Sequence, residues 1–373
     1  MHFDRQALMT RGRLRSMRIG ATAAIVAVSV QCGTAPTGPD GDADPAMAVV
    51  ITSDIVRFWE AYDAGAGGDR TTAFQTRYLD KASAGLADFV RLRSVTAMSL
   101  VQMVSAFPKY FQSIRAANLG IASNDAVVAR IRANYSTIKS LYPAAVFPPL
   151  TFVVGRFSTG GTISNNGILI GSEFYSVTAG TPVDELGLFQ KANVKPLDSL
   201  PVIVSHEHAH VLQLRGGGVF TRSNKSLLEQ SLMEGGADFI GELSSRGNIN
   251  SRQMDYGLVN EAALWNEFKV VMRGTDVSQW LYNQGSVAGN TPRPGDLGYF
   301  IGYRITQAYY ERHGDKRAAL RDIITMKDAD AFLAESGYAP SPVATSALGP
   351  HRLTRLDREN PARRNRARDH ADK

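Results

Sequence analysis

The stretch Leu200-Pro201-Val202-Ile203-Val204-Ser205-His206-Glu207-His208-Ala209-His210-Val211-Leu212 decides how this chain of 373 residues is read. Its centre spells H-E-x-x-H, and three of the protein's seven histidines fall inside it. On a helix, His206 and His210 are four residues apart and share a face, so both imidazoles can reach one metal ion. Glu207 stands beside them at the angle required of a base that takes a proton from water. His208 lies about 200° around the helix from His206 and is expected to pack away from the metal. Pro201 is tolerated in a first helical turn, Asp198 and Ser199 are the candidate caps, and Gly216-Gly217-Gly218 ends the helix.

Two histidines do not make a catalytic zinc site, which takes three protein ligands and leaves one position open. One known arrangement needs a Gly three residues, and a His six residues, after the second histidine. Gln213 and Gly216 stand there and exclude it. Another takes a glutamate from a following helix, and Glu229, Glu234 and Glu242 all fall in the helical pattern of residues 225–243. Ser226-Leu227-Leu228-Glu229 has capping-box spacing, which gives Glu229 a structural task. Glu234 begins Glu234-Gly235-Gly236-Ala237-Asp238, whose small residues allow close packing on the motif helix, with Asp238 four positions along the same face. The reading is therefore His206, His210 and Glu234 as ligands of one Zn²⁺ ion. Asp238 would accept the second N–H of a ligating histidine, and Glu242 is the reserve ligand.

With 44% hydrophobic residues the chain can bury a large core. Its net charge of +6 sits at the ends: residues 1–18 and 350–373 carry +4 each, leaving the middle near −2. The folded part is not basic, which excludes nucleic acid as a partner. Arg11, Arg13, Arg15 and Arg18 precede an apolar run from Ile19 to Val30, the pattern of an export signal and too short for a membrane span; Met17 is a second candidate start. Cys32, the only cysteine, follows that run where a lipoprotein signal is cut and acylated, although Gln31 and Ser29 depart from that pattern. Membrane attachment through a lipidated Cys32 and soluble secretion both stay open, and either implies an extracytoplasmic location. A single cysteine allows no intramolecular disulfide, so the exported fold must rely on its core.

The expected organisation is a signal peptide at 1–32, a flexible tether at 33–46, an N-terminal helical region at 47–142, a zincin-like catalytic region at 143–338 and a disordered basic tail at 339–373. Hydrophobic periodicity predicts helices at 47–62, 70–93, 97–118 with a kink at Pro108, and 124–141 capped by Asn124. After Pro148-Pro149, residues 150–155 and 168–171 read as strands flanking a Gly/Ser/Thr/Asn-rich stretch at 158–166, and 254–272 as a helix. The fold class is α+β, predominantly helical, with a small antiparallel or mixed sheet beside the motif helix. An edge strand of such a sheet can pair with an extended substrate, and polar substitutions at Ile168 to Ile170 are the place to test that.

On these residues the chain resembles the gluzincin-type metallopeptidases. Leu232-Met233-Glu234-Gly235-Gly236-Ala237-Asp238-Phe239, Gly298-Tyr299-Phe300-Ile301-Gly302-Tyr303-Arg304 and Phe58-Trp59-Glu60-Ala61-Tyr62-Asp63 are similar to segments of predicted bacterial Zn-dependent proteases, uncharacterised families related to a gliding-motility lipoprotein group. The resemblance spans about residues 50 to 335 and implies a zincin-like protease fold with no known substrate.

Tyr299 and Tyr303, four apart on a predicted helix, are candidate donors to the oxyanion that forms when water attacks a carbonyl. The alternative is that both are core residues beneath the metal site. His313 is a fallback donor. The function read from these residues is that of an exported zinc-dependent hydrolase, a metalloprotease acting on peptide or protein substrates. Zinc would activate the water and Glu207 would be general base. The rival is a non-catalytic zincin-like binding or assembly protein of the cell envelope, which would have no need of Glu207. Hydrolysis of a non-peptide amide is a third reading.

Overall fold

The motif helix is apolar or occupied by functional groups on every face, and such a helix must be covered on all sides. The computed structural model describes residues 38–284 and 293–340. The expected signal peptide, Cys32, residues 285–292 and the tail beyond residue 340 lie outside the described residues.

In chain order, strand β1 (Val50–Ile51) leads into six helices: α1 (Ser53–Ala64), α2 (Arg70–Arg77), α3 (Ala84–Arg93), α4 (Ala97–Ala106), α5 (Pro108–Gly120) and α6 (Asp125–Leu141). Strands β2 (Leu150–Val153), β3 (Gly161–Ser164) and β4 (Gly167–Gly171) follow. Then come α7 (Leu188–Asn193), the motif helix α8 (Leu200–Gly216), α9 (Leu227–Ser245), α10 (Ser251–Val271), α11 (Leu297–Arg312), α12 (Lys316–Ile324) and α13 (Ala329–Ser336). The fold is predominantly helical with one small mixed sheet. None of the described helices is long and apolar enough to cross a membrane.

Helix starts follow the chemistry of their caps. The side chains of Asp69, Ser83, Thr96 and Asn124 each accept from a backbone N–H in the first turn of α2, α3, α4 and α6. Ser226 and Glu229 form the expected capping box at the start of α9. Asp198 does not cap α8: its carboxylate instead pairs with Arg130 at 3.0 Å, and Ser199 precedes the helix without a side-chain cap.

Three expected helices are divided or shortened. The chain from 70 to 93 breaks because Tyr78 turns into the core, where its hydroxyl donates to Val154 O (2.8 Å) and accepts from Val154 N (3.1 Å), and Ser83 caps a new helix. The segment from 97 to 118 is two helices, since Pro108 disfavours helical geometry at Phe107 and itself begins α5. The helix expected from 47 starts at Ser53, because Val50 and Ile51 pair in parallel with Leu150 and Thr151.

Residues 38–46, the described part of the expected tether, make contacts with the folded chain. Arg215, in the last turn of α8, donates to Gly38 O (3.3 Å) and Pro39 O (3.1 Å), and Asp42 exchanges backbone hydrogen bonds with Phe147. Composition cannot show such contacts, because the backbone makes most of them.

The sheet order is β1-β2-β4-β3, parallel except for the antiparallel β3/β4 pair, in which Gly161 faces Ile170 and Thr162 faces Leu169. β2 and β4 are buried along their whole length. Ile168 to Ile170 therefore lie in an interior strand, and the edge beside α8 is β3, inside the stretch whose Gly, Ser, Thr and Asn content reads as a loop. One hydrophobic cluster runs from Ala48 to Tyr338, so the N-terminal helices and the rest of the chain share a core. Buried Asn118 joins them: it accepts from Trp59 Nε1 (2.8 Å) and donates to Ser172 Oγ (3.0 Å) and Ser176 Oγ (2.9 Å).

Helix α9 is clamped between α8 and α11. It meets α11 through glycine: a Cβ on Gly302 would overlap the carbonyl oxygen of Ser231, and one on Gly235 would overlap the backbone of Gly302 and Tyr303. Gly302→Ala should therefore force the helices apart and lower stability by about 2 to 3 kcal/mol. A thermal melt of the variant that matches wild type would contradict this packing.

Candidate metal centre

His206 and His210 project from α8 toward Glu234 on α9, and their donor atoms converge. His206 Nε2 lies 3.1 Å from His210 Nε2, and Glu234 Oε2 lies 3.2 Å from His210 Nε2 and 3.6 Å from His206 Nε2. A tetrahedral ion with bonds of about 2.0 to 2.1 Å spaces its donors about 3.4 Å apart, so the separations suit one zinc ion. Among the described residues these three form the cluster able to hold a metal.

What makes the set fit a metal is the far side of each group. His206 Nδ1 donates to Asp238 Oδ1 (2.8 Å), and Asp238 Oδ2 accepts from Asn250 Nδ2 (2.8 Å). His210 Nδ1 donates to Gln213 Oε1 (2.8 Å); the Gln213 amide is oriented by its own donation to Met233 O (2.8 Å). Tyr282 donates its hydroxyl to Glu234 Oε1 (2.8 Å). Each outer atom is thus engaged by a separate partner, which leaves the inner lone pairs of both Nε2 atoms and Oε2 directed at a common point.

Electrostatics point the same way. Burial by itself disfavours protonated imidazoles, but Asp238 and Glu234 outweigh it at His206, and Glu234 does so at His210, so both sit above the usual histidine range. Burial would raise Glu234, yet the two imidazoles hold it well below the usual carboxylate range. The cluster is built to carry positive charge.

Glu207 is buried one residue along from His206. Burial pushes its carboxyl up, against the pull of His206 and His210, and it accepts no hydrogen bond from any described residue. It lies against Gly161 of β3, where a Cβ would overlap Glu207 Oε1. His206, Glu207 and Gly161 line one cavity, which Tyr299, Lys195 and Arg252 help to wall.

The structure separates the two tyrosines. Tyr299 lines this cavity, its ring stacked on His206 with centroids 6.3 Å apart, and burial holds its phenol well above the usual range, so it remains an O–H donor. Tyr303 faces elsewhere: it packs edge-on against Phe239 at 5.6 Å, has its phenol raised by burial and by the charge of Glu242, and does not line the cavity. One α-helical turn on a helix already committed to packing against α9 carries it past the site.

Glu242 accepts from Asn248 Nδ2 (3.0 Å) and takes no part in the cluster. His208 is sandwiched between Tyr135 and Phe147 and donates Nε2–H to Val146 O (2.8 Å); burial pushes it down to about 4. His313 stacks on Tyr309 at the end of α11 and lies outside the cavity.

Three contributors have no sequence signature read above. Gln213 follows His210 by three positions on α8, a spacing that can be seen in advance. Tyr282 and Asn250 arrive from loops, and no periodicity points to either. Tyr282 adopts a left-handed backbone (φ 57°), as does Asp296 (φ 62°), and the two are bracketed by a reciprocal pair: Asn283 N donates to Asp296 Oδ1 (2.7 Å) and Asp296 N to Asn283 Oδ1 (2.6 Å).

Residues 171–332 match a family model described as "Predicted Zn-dependent protease (DUF2268)". The match takes in α8, α9 and α11, and with them His206, Glu207, His210, Glu234, Asp238 and Tyr299; β3 with Gly161 lies outside it. It supports a zinc-protease family for this part of the chain. No curated protein and no solved structure matches.

If the outer hydrogen bonds orient the ligands, Asp238→Ala should weaken zinc binding by about 10- to 100-fold while leaving the ion stoichiometry at one. Competition against a chelating dye measures this, and an unchanged affinity would remove Asp238 from the site.

Proposed function

We propose that this chain is an exported zinc-dependent peptidase in which His206, His210 and Glu234 hold the ion. The observation that carries the reading is the convergence of three oriented donor atoms beside a buried carboxylate on the wall of an open cavity. Zinc bound there would polarise a carbonyl and lower the pKa of water.

The chain's own residues supply the rest. Glu207 takes the proton from water and delivers it to the leaving amine. Its raised proton affinity, caused by burial, brings it closer to neutral pH, where such a shuttle works best. Tyr299 donates its O–H to the developing oxyanion from the same cavity wall. Among the described residues strand β3 is an edge of the sheet, and it lies against Glu207, so an extended peptide can add to it and lay its carbonyl beside the catalytic carboxylate. Export is supported by the basic start and short apolar run before Cys32.

Glu207→Gln should keep one zinc per chain and lower kcat by about 10² to 10⁴-fold; full turnover of a peptide library by that variant would defeat the mechanism. Tyr299→Phe should lower kcat by about 10² to 10³-fold with little change in melting temperature. Tyr303→Phe should leave kcat alone, and the opposite ranking would reassign the donor.

A further inference from the structure

We propose that the cavity beside Glu207 recognises a carboxylate on the substrate, through Lys195 and Arg252. This rests on the hydrolase reading above and adds the substrate class: peptides with an acidic side chain, or a free C-terminus, placed next to the cleaved bond.

Both cations line the same cavity as His206 and Glu207. Lys195 belongs to the segment between α7 and α8, and its backbone is fixed on both sides. Its N–H donates to Phe174 O (2.7 Å), and its carbonyl accepts from Val177 N (3.3 Å). The ammonium therefore swings from an anchored stem. No described carboxylate or hydrogen-bond acceptor engages Nζ, and partial burial pulls its pKa down. A desolvated ammonium without a counterion costs free energy that the fold itself does not recover.

Arg252 reaches the same cavity from an exposed position. It stands in the first turn of α10, where the helix dipole disfavours a cation, and no described carboxylate pairs with it. Several other arginines do have carboxylate partners within the fold: Arg115 pairs with Asp63, Arg222 with Glu229 and Arg304 with Glu261.

The acids of the cavity do not serve as counterions. Glu207 belongs to the reacting centre, and Asp296 accepts from the backbone N–H of Asn283. Two cations with no carboxylate partner among the described residues, on a wall next to the reacting groups, are the complement of an incoming carboxylate.

The test captures a random peptide pool on the full-length Glu207→Gln protein and, in parallel, digests the same pool with the wild-type enzyme, both read by mass spectrometry. Acidic residues should be enriched about tenfold at one position in each arm. The Lys195→Met/Arg252→Met variant should lose the enrichment, Lys195→Arg should keep it, and Lys195→Glu should turn it toward basic residues, all with unchanged melting temperature.

A pool with amidated C-termini separates the two sources of carboxylate. Enrichment that survives amidation belongs to a side chain, and enrichment lost on amidation belongs to the C-terminus. Cleavage products without acidic preference, or a preference untouched in the double Met variant, overturn the inference and leave the peptidase reading standing. Absence of products together with Lys195-dependent capture of acidic peptides does the reverse. Absence of both overturns the inference as well.

Discussion

Two imidazoles and a carboxylate are held with their inner donor atoms 3.1 to 3.6 Å apart on buried helix faces, and most of the architecture serves that arrangement. Polar groups so placed are costly unless every remaining lone pair and proton is satisfied. Asp238, Gln213 and Tyr282 meet that requirement from three directions, and Asn250 and the Met233 carbonyl fix two of those partners in turn. The geometry also needs α8 and α9 at a fixed separation. The glycines at the α9/α11 crossing set the depth at which Glu234 sits, so a residue on α11 with no chemistry of its own governs the position of a ligand.

The cavity gathers elements far apart in the chain. β3 brings Gly161 against Glu207, α11 brings Tyr299 against His206, and the segment before α8 and the start of α10 bring the two cations. Glu207 differs from the three converging groups in having no hydrogen-bond partner among the described residues. A group meant to hold an ion is pinned from behind; a group meant to pass protons keeps its oxygens available.

What was legible in the sequence was what a helix makes local. His206 and His210 at i and i+4, Glu234 and Asp238 at the same spacing, and the Ser226/Glu229 capping box are consequences of one helical repeat, and all are found where it places them. The same rule did not separate Tyr299 from Tyr303, because both lie on the side of α11 that meets α9 and only the longitudinal position tells cavity from core.

Long-range contacts were opaque. Tyr282 reaches Glu234 across 48 positions from a loop. β3 is polar because it lies at an edge, and a polar edge strand looks like a loop. The breaks at Tyr78 and Phe107 show two further limits: a side chain drawn into the core overrides helical periodicity, and a proline acts on the residue before it.

The reciprocal hydrogen bonds between Asn283 and Asp296 have a consequence for how the protein can vary. They close the chain on itself just after Tyr282 and just before α11, so the two ends of the intervening segment are fixed to each other and not merely to the site. Closure entropy for such a loop grows only slowly, by about 0.6 kcal/mol for each doubling of its length. The length of chain between Asn283 and Asp296 can therefore vary at small entropic cost while the pair keeps Tyr282, the donor to Glu234, and the start of α11, which carries Tyr299, in one fixed relation.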